Sequence, residues 1–147
     1  LVEMGAFEVS VSDTIGIAHP GQVAPVVSAV AERVTLERIA LHFHDTRGTA
    51  LANVLTSLQL GVTTFDSSAG GLGGCPYAPG ATGNLATEDL VYMLDGLEIE
   101  SGVNLAALVE ASRFMESRIG HRLPSRFYRA ATSQTYTPGR PANERSE

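Results

Sequence analysis

The sequence is poor in cysteine and in basic residues, and it has no long run of apolar residues. Its single thiol, Cys75, excludes a framework of internal disulfides and any metal site built from several cysteines. No apolar stretch approaches the roughly 18 residues that a membrane-spanning helix needs, so we expect no membrane association. Ten Lys and Arg residues against sixteen Asp and Glu residues give a net charge of −6. Such a surface repels phosphate backbones, which argues against nucleic-acid binding.

The 147 residues, 44% hydrophobic and 18% charged, have a globular composition. We expect one domain over residues 1–130. The first five residues read as the end of a helix stopped by Gly5, so we interpret the chain as starting within a fold. Residues 131–147 mix Ser, Thr, Pro, Gly and charge without an apolar period, and we predict a disordered tail there.

Strand and helix patterns alternate along the domain. Apolar residues at every second position predict strands over 7–13, 39–44 and 62–66, and helical spacing predicts four helices, within 23–34, 50–58, 90–97 and 105–119. Asn104 is placed to cap the fourth helix. The order strand, helix, strand, helix, strand, helix, helix implies an α/β fold with a parallel sheet and helical crossovers.

Polar residues follow all three predicted strands. These segments are Ser12-Asp13-Thr14, His42-Phe43-His44-Asp45-Thr46 and Asp66-Ser67-Ser68. Ligands of parallel α/β folds bind at the carboxyl ends of the strands. An exposed loop would explain one such cluster, whereas three at equivalent positions favour a site.

His42 and His44 are the strongest candidates for metal binding. Residues two apart on a strand point to the same face, so both imidazoles can meet one divalent ion. The alternative is a pair of partly buried histidines satisfied by hydrogen bonds. Asp45 favours the metal hypothesis, because a carboxylate can orient a ligating histidine. Asn84 offers an amide oxygen, which suits an ion such as Mg²⁺ or Mn²⁺.

A glycine-rich loop contains the only thiol. Its sequence is Gly70-Gly71-Leu72-Gly73-Gly74-Cys75-Pro76-Tyr77, and four glycines in five positions give the backbone unusual freedom. A mobile lid could deliver Cys75 as an acid or nucleophile. The alternative is a flexible surface loop with an incidental cysteine. A phosphate-binding loop is disfavoured, because neither the Gly-x-Gly-x-x-Gly spacing nor a Gly-Lys-Ser/Thr ending is present.

Together these stretches resemble the hydroxymethylglutaryl-CoA lyase family, over residues 5 to about 120. The most specific matches are the cysteine loop and the run from Gly83 to Leu90, whereas related aldolases and synthases share the His-x-His-Asp-Thr element. Position 69–70 departs from the family pattern, and we expect a looser loop there. The matching segments are Ser12-Asp13-Thr14-Ile15-Gly16, His42-Phe43-His44-Asp45-Thr46-Arg47-Gly48, Gly70 to Ala78, and Gly83-Asn84-Leu85-Ala86-Thr87-Glu88-Asp89-Leu90.

The resemblance implies a fold and a metal site. The family fold is a (β/α)₈ TIM barrel of about 250 residues, so this chain would supply the C-terminal three of eight strands with their helices, plus an extra C-terminal helix. The family's Asp-Gly-Leu-Gln segment, which provides a metal-binding aspartate and a catalytic arginine, does not occur in this sequence. The implied ligands of Mg²⁺ or Mn²⁺ are His42, His44 and Asn84.

The resemblance also implies a reaction, the cleavage of an acyl-CoA thioester, 3-hydroxy-3-methylglutaryl-CoA, to acetyl-CoA and acetoacetate. Asp13 and His42 are the candidate bases, and Cys75 is the candidate proton donor. Glu88 would provide either helix-start electrostatics or support for Asn84. The implied full-length form is a homodimer, cytoplasmic in bacteria or in the mitochondrial matrix of eukaryotes. We expect the chain alone to be nearly inactive. The alternatives are a non-catalytic assembly or metal-binding piece, and a related metal-dependent aldolase or acyl-transferring synthase.

Overall fold

Three parallel strands form one sheet at the centre of the computed structural model, which describes residues 2–74 and 83–133. The strands are β1 (Val9–Asp13), β2 (Ile39–Phe43) and β3 (Thr64–Asp66), in the order β1-β2-β3. Their register places Ser12 opposite His42, and His42 opposite Asp66. The polar ends of the strands therefore lie in one row.

Five α-helices connect and flank the strands. They are α1 (Pro20–Ala31), α2 (Ala50–Gln59), α3 (Thr87–Gly96), α4 (Leu105–Ile119) and α5 (Arg126–Thr132), with short 3₁₀ segments at Val2–Met4, Leu36–Arg38 and Ala69–Gly71. Helices α1 and α2 are the crossovers between consecutive parallel strands. In the part of the chain that the structure describes, none of the helices has the length and apolar character needed to cross a membrane.

Strand β2 is the central strand of the sheet, and four of its five residues are buried. Ile39, Ala40, Leu41 and Phe43 are all at most 5% exposed. Such a continuous apolar strand is typical of a parallel sheet covered by helices. The main core adds side chains from α1, α2 and α3, among them Val23, Val27, Val54 and Leu90.

The ends of α4 follow from its sequence. The side chain of Asn104 accepts a hydrogen bond from the backbone N–H of Ala107 at 3.0 Å, which confirms the predicted cap. Gly120 ends the helix in the left-handed conformation, with φ 74°.

Several expectations about elements were inaccurate. Helix α1 ends at Ala31 rather than near residue 34, and β3 begins at Thr64 rather than at residue 62. Phe7, expected in the first strand, precedes β1 and is 84% exposed. Helix α5 was not predicted, because its seven residues are too few to show an apolar period. It includes residues 131 and 132, where we placed the start of the tail; residues 134–147 lie outside the described part of the chain.

Candidate metal and catalytic site

The carboxyl edge of the sheet brings three of the predicted site residues together. His42 is the fourth residue of β2, and His44 directly follows the strand. His44 pairs with Asn84 through an isolated antiparallel bridge, and the backbone N–H of Leu85 donates to Phe43 O at 3.0 Å. The segment after the glycine-rich loop is thereby attached to the end of β2, so that Asn84 lies beside His44, whose ring contacts that of His42.

The two histidine rings contact each other in an edge-to-face arrangement. Their centroids are 5.0 Å apart, with an angle of 66° between the ring planes. His44 is buried, and its Nδ1 has no hydrogen-bond partner among the described residues. Burial lowers the pKa of His44 below its usual value, and the nearby His42 lowers it further. The shift favours the neutral form of His44, which is the form that binds metals.

The carboxylate beside His42 is Asp66 rather than Asp45. Asp66 Oδ1 contacts His42 Nδ1 directly. Asp45 instead accepts a hydrogen bond from the backbone N–H of Ala50 at 3.0 Å and pairs with Arg126 at 2.9 Å. The expectation that Asp45 orients a histidine is therefore wrong. Its carboxylate satisfies an N–H group in the first turn of α2, which has no intrahelical acceptor.

The amide of Asn84 has a defined orientation. Its Nδ2 donates to the carbonyl of Leu72 at 3.0 Å, and none of the hydrogen bonds of the described residues is accepted by its Oδ1. Glycine is favoured at position 73, where φ is 109° and a Cβ would lie 2.6 Å from Nδ2 of Asn84, so that the amide would have to move. The orientation leaves the amide oxygen as the group available for a metal.

Asp13 lies close enough to His44 to act on it electrostatically, although burial of the ring is the dominant influence on its pKa. The two carboxylate oxygens of Asp13 accept hydrogen bonds from the backbone N–H groups of Ile17 at 3.0 Å and Ala18 at 3.1 Å. Asp13 therefore also fixes the loop that follows β1.

Glu88 is fully buried and anchors the start of the glycine-rich loop. Its two oxygens accept from the backbone N–H of Gly70, at 3.0 and 2.8 Å, and one of them accepts from the hydroxyl of Ser112. None of its hydrogen bonds among the described residues is with Asn84, so direct hydrogen-bonded support of that residue is not observed. This role was not predicted, because Gly70 and Ser112 are distant from Glu88 in the chain. A backbone N–H and a serine hydroxyl also give no recognisable sequence motif.

The two ends of the loop meet at Gly71 and Gly83. Both have positive φ angles, 74° and 51°, and a Cβ on Gly83 would lie 2.2 Å from the carbonyl oxygen of Gly71. Cys75 lies outside the described residues, so its predicted role as proton donor stays a prediction.

The donors at this edge suit a divalent metal ion. Across residues 2–74 and 83–133, no group of three or more His, Cys, Asp or Glu side chains is placed to hold one. The candidate set is two imidazoles and one carboxamide, which are donors that Mn²⁺ accepts. Magnesium-like ions usually retain several waters and bind substrate oxygens, so a partial protein set is adequate. The buried Nδ1 of His44, without a partner among the described residues, is the structural sign of a fit.

The family model described as HMGL-like matches residues 1–115. The chain belongs to the HMGL-like family. It is 57% identical over 126 residues to a hydroxymethylglutaryl-CoA lyase of Bacillus subtilis, covering 86% of this chain and 42% of that protein. A mitochondrial hydroxymethylglutaryl-CoA lyase of Bos taurus is 54% identical over 130 residues, covering 88% of this chain and 40% of the relative. This HMGL-like chain therefore spans about two fifths of the length of these curated relatives.

A solved structure of similar fold is that of an HMG-CoA lyase from Acinetobacter baumannii in complex with coenzyme A and 3-methylmalate. It matches this HMGL-like chain with a TM-score of 0.85 and 42% identity, over 93% of this chain and 45% of that one. The fold expected from the sequence, part of a (β/α)₈ barrel with three parallel strands and their helices, is thereby confirmed.

Proposed function

We propose that this chain forms part of a hydroxymethylglutaryl-CoA lyase, which cleaves 3-hydroxy-3-methylglutaryl-CoA to acetyl-CoA and acetoacetate. The identity to lyases of that name supports the reaction. The observation on which the proposal depends is the convergence of His42, His44 and Asn84 at the carboxyl edge of the sheet.

The same three residues would hold a divalent cation, Mg²⁺ or Mn²⁺. Their donor atoms are a ring nitrogen of each histidine and the amide oxygen of Asn84. When bound, the cation supplies Lewis acidity that makes loss of the substrate's hydroxyl proton easier. The HMGL-like family generally depends on a divalent metal, which agrees with this assignment.

The proton of the substrate hydroxyl requires a base, for which Asp13 and His42 are the candidates. Because Asp66 occupies Nδ1 of His42, only Nε2 of that ring is free, and one lone pair cannot hold a metal and accept a proton at once. We therefore favour Asp13 as the acceptor. Each of its oxygens accepts one backbone hydrogen bond and retains a second lone pair.

Cys75 is proposed to protonate the enolate of acetyl-CoA, on the basis of the sequence alone. The described ends of its loop are fixed by Glu88 and by the contact between Gly71 and Gly83.

The further proposals follow from the resemblance to lyases: an acyl-CoA thioester as substrate, a homodimer in the full-length form, and bacterial cytoplasm or the mitochondrial matrix as the compartment.

A chimeric enzyme tests the reaction. This chain would replace the matching stretch of the Bacillus subtilis relative, and acetoacetate release would be measured with added Mg²⁺ or Mn²⁺. We expect a metal-dependent lyase, and we expect His44→Ala to lower kcat/KM at least about 100-fold by removing a ligand. Asp95→Ala, an exposed change on α3, is the control and should leave activity unchanged. A folded chimera without lyase activity, or one insensitive to His44→Ala, would contradict the proposal.

The role of Cys75 can be separated from metal binding in the same chimera. Cys75→Ser replaces the thiol by a much weaker acid of similar size. We expect turnover to fall about 100-fold or more, while the dissociation constant of Mn²⁺ stays within about twofold. A large loss of Mn²⁺ affinity would show that the thiol contributes to the metal site instead.

A further inference from the structure

We propose that Asp66 is a positioning residue that fixes the tautomer and the ring orientation of His42. In this arrangement Asp66 keeps a proton on Nδ1 of His42, so that Nε2 presents its lone pair to the metal site. The inference deepens the proposed function, on which its consequence for metal binding rests. The tautomer itself is a property of the metal-free protein and can be tested separately.

The tautomer follows from the chemistry of the contact. The side chain of Asp66 is 57% exposed and contacts Nδ1 of His42 through Oδ1. An ionised carboxylate can only accept hydrogen bonds, so the ring nitrogen that faces it must donate. In a neutral imidazole the other nitrogen then has no proton, and which nitrogen binds a metal is set by the hydrogen bond that the other one makes.

The strand register enforces this contact. His42 and Asp66 are paired residues of β2 and β3. Paired residues on neighbouring strands project to the same face of the sheet, about 4.8 Å apart in the hydrogen-bonding direction. The carboxylate therefore reaches the ring from a fixed backbone position rather than from a flexible loop.

The second histidine has no such partner. Nδ1 of His44 is buried and makes no hydrogen bond within the described residues. The two rings of the His-x-His element are thus held by different means. His42 is held by the carboxylate of Asp66, and His44 is held by the packing around its buried ring. This difference provides an internal control, because removal of Asp66 should alter the state of His42 and leave the tautomer of His44 unchanged.

The test uses ¹⁵N NMR of the imidazoles in the metal-free chain at mildly alkaline pH, about 8, well above the ordinary range of histidine titration. The chain has four histidines, and the signals of His42 are identified by their loss in His42→Gln. We expect a protonated Nδ1 in the wild type and in Asp66→Glu, which keeps a carboxylate. In Asp66→Ala we expect the proton to redistribute toward Nε2. Asp95→Ala, which removes one carboxylate elsewhere, should match the wild type.

Mn²⁺ binding provides the second measurement, through paramagnetic broadening of the same signals. We expect Asp66→Ala to raise the dissociation constant about 10- to 100-fold, Asp66→Glu to restore most of the affinity, and Asp95→Ala to have no effect. An unchanged His42 tautomer in Asp66→Ala would overturn the proposal, as would a changed tautomer with unchanged affinity. If Mn²⁺ broadened nothing in the wild type, the proposed metal site would fail, while the tautomer measurement would still decide the role of Asp66.

Discussion

At the residue scale, the site depends on a glycine at a position where a side chain would collide with neighbouring residues. Gly16 lies in the loop after β1 with φ 63°, a backbone conformation that favours glycine. A Cβ at this position would lie 2.4 Å from Oγ1 of Thr46 and 3.1 Å from Cβ of His44. Gly16 thus permits the loop after β1 to approach the loop after β2, which places Asp13 near His44.

Gly16→Ala should therefore destabilise the chain in two ways. The left-handed conformation costs an alanine roughly 1–2 kcal/mol, and the contact with Thr46 adds about 1–3 kcal/mol of overpacking. Gly102→Ala is a matched control, because Gly102 has φ 73° and nothing within 4 Å of its Cβ position. Urea denaturation should show a larger loss of unfolding free energy for Gly16→Ala. Equal losses would mean that the crowding against Thr46 is relieved without cost.

The lowered pKa of His44 predicts how stability depends on pH. Burial is the main cause of the shift from the ordinary value of 6.5. As the pH falls below about 6.5, the unfolded chain binds a proton at His44 that the folded chain does not. The free energy of unfolding should therefore fall until the pH reaches the folded-state pKa, and this contribution should then level off.

Urea denaturation of the metal-free chain between about pH 8 and pH 5 tests this dependence. We expect a shallower pH dependence in His44→Gln than in the wild type, whatever the overall stability of the variant. His121→Gln is the control, because it removes a histidine whose side chain is exposed rather than buried. Equal pH dependence in the wild type and His44→Gln would contradict the burial argument.

At the element scale, two neighbouring acids attach the start of α3 to different parts of the chain. Glu88 bonds to Gly70 and Ser112, which joins α3 to the glycine-rich loop and to α4. Asp89 accepts from the hydroxyl of Ser125 at 2.8 Å and from the backbone N–H groups of Arg126 and Phe127 at 3.1 and 2.7 Å. Asp89 thereby satisfies free donors in the first turn of α5.

Asp89→Ala should therefore loosen α5 selectively. Three donors would lose their acceptor, and a buried donor without a partner costs about 1–3 kcal/mol. Hydrogen exchange measured by mass spectrometry should be about 10-fold faster or more in 126–132, with α4 changing less. Asp95→Ala, at the other end of α3, is the control and should leave α5 as in the wild type. Uniform acceleration across the chain would show that Asp89 stabilises the whole fold instead.

The extent of sequence-based prediction also differs by element. Strand β2 and helices α1 to α4 were predicted because their apolar residues recur over enough positions to define a period. The row of polar strand ends followed from that alternation, since parallel strands end at one edge. Helix α5 is held by Asp89, 37 residues before it, and no local pattern indicates such a contact.

The carboxylate that contacts a histidine was harder to predict from the sequence than the location of the site. Adjacency in the sequence suggested Asp45 as the partner of a histidine, whereas strand register selected Asp66, 24 residues from His42. Register is decided by the pairing of whole strands, which a single local motif does not contain. The contacts of Glu88 escaped prediction for the same reason.

At the scale of the whole molecule, the described sheet differs from a closed barrel. Its three strands leave β1 and β3 as edges within the part of the chain that the structure describes. Beside β1, a cavity of about 400 Å³ is lined mainly by apolar residues of β1, β2 and α1, among them Val11, Val27 and Phe43. A complete barrel covers such surfaces with further strands and helices, and it builds its site from loops after many strands.

We therefore predict that the 147-residue chain alone lacks measurable lyase turnover, whereas the chimera with the remainder of the Bacillus subtilis relative is active. The chain would still place His42, His44 and Asn84 at one edge, because β2 and the bridge to Asn84 need no other strand. Weak Mn²⁺ binding should consequently persist without turnover, because a barrel enzyme builds its site from the loops after many strands and the described sheet has three. Acetoacetate release and paramagnetic broadening, measured on the same preparations, separate the two properties. Robust turnover by the isolated chain would show that three strands suffice for catalysis and would refute the barrel requirement.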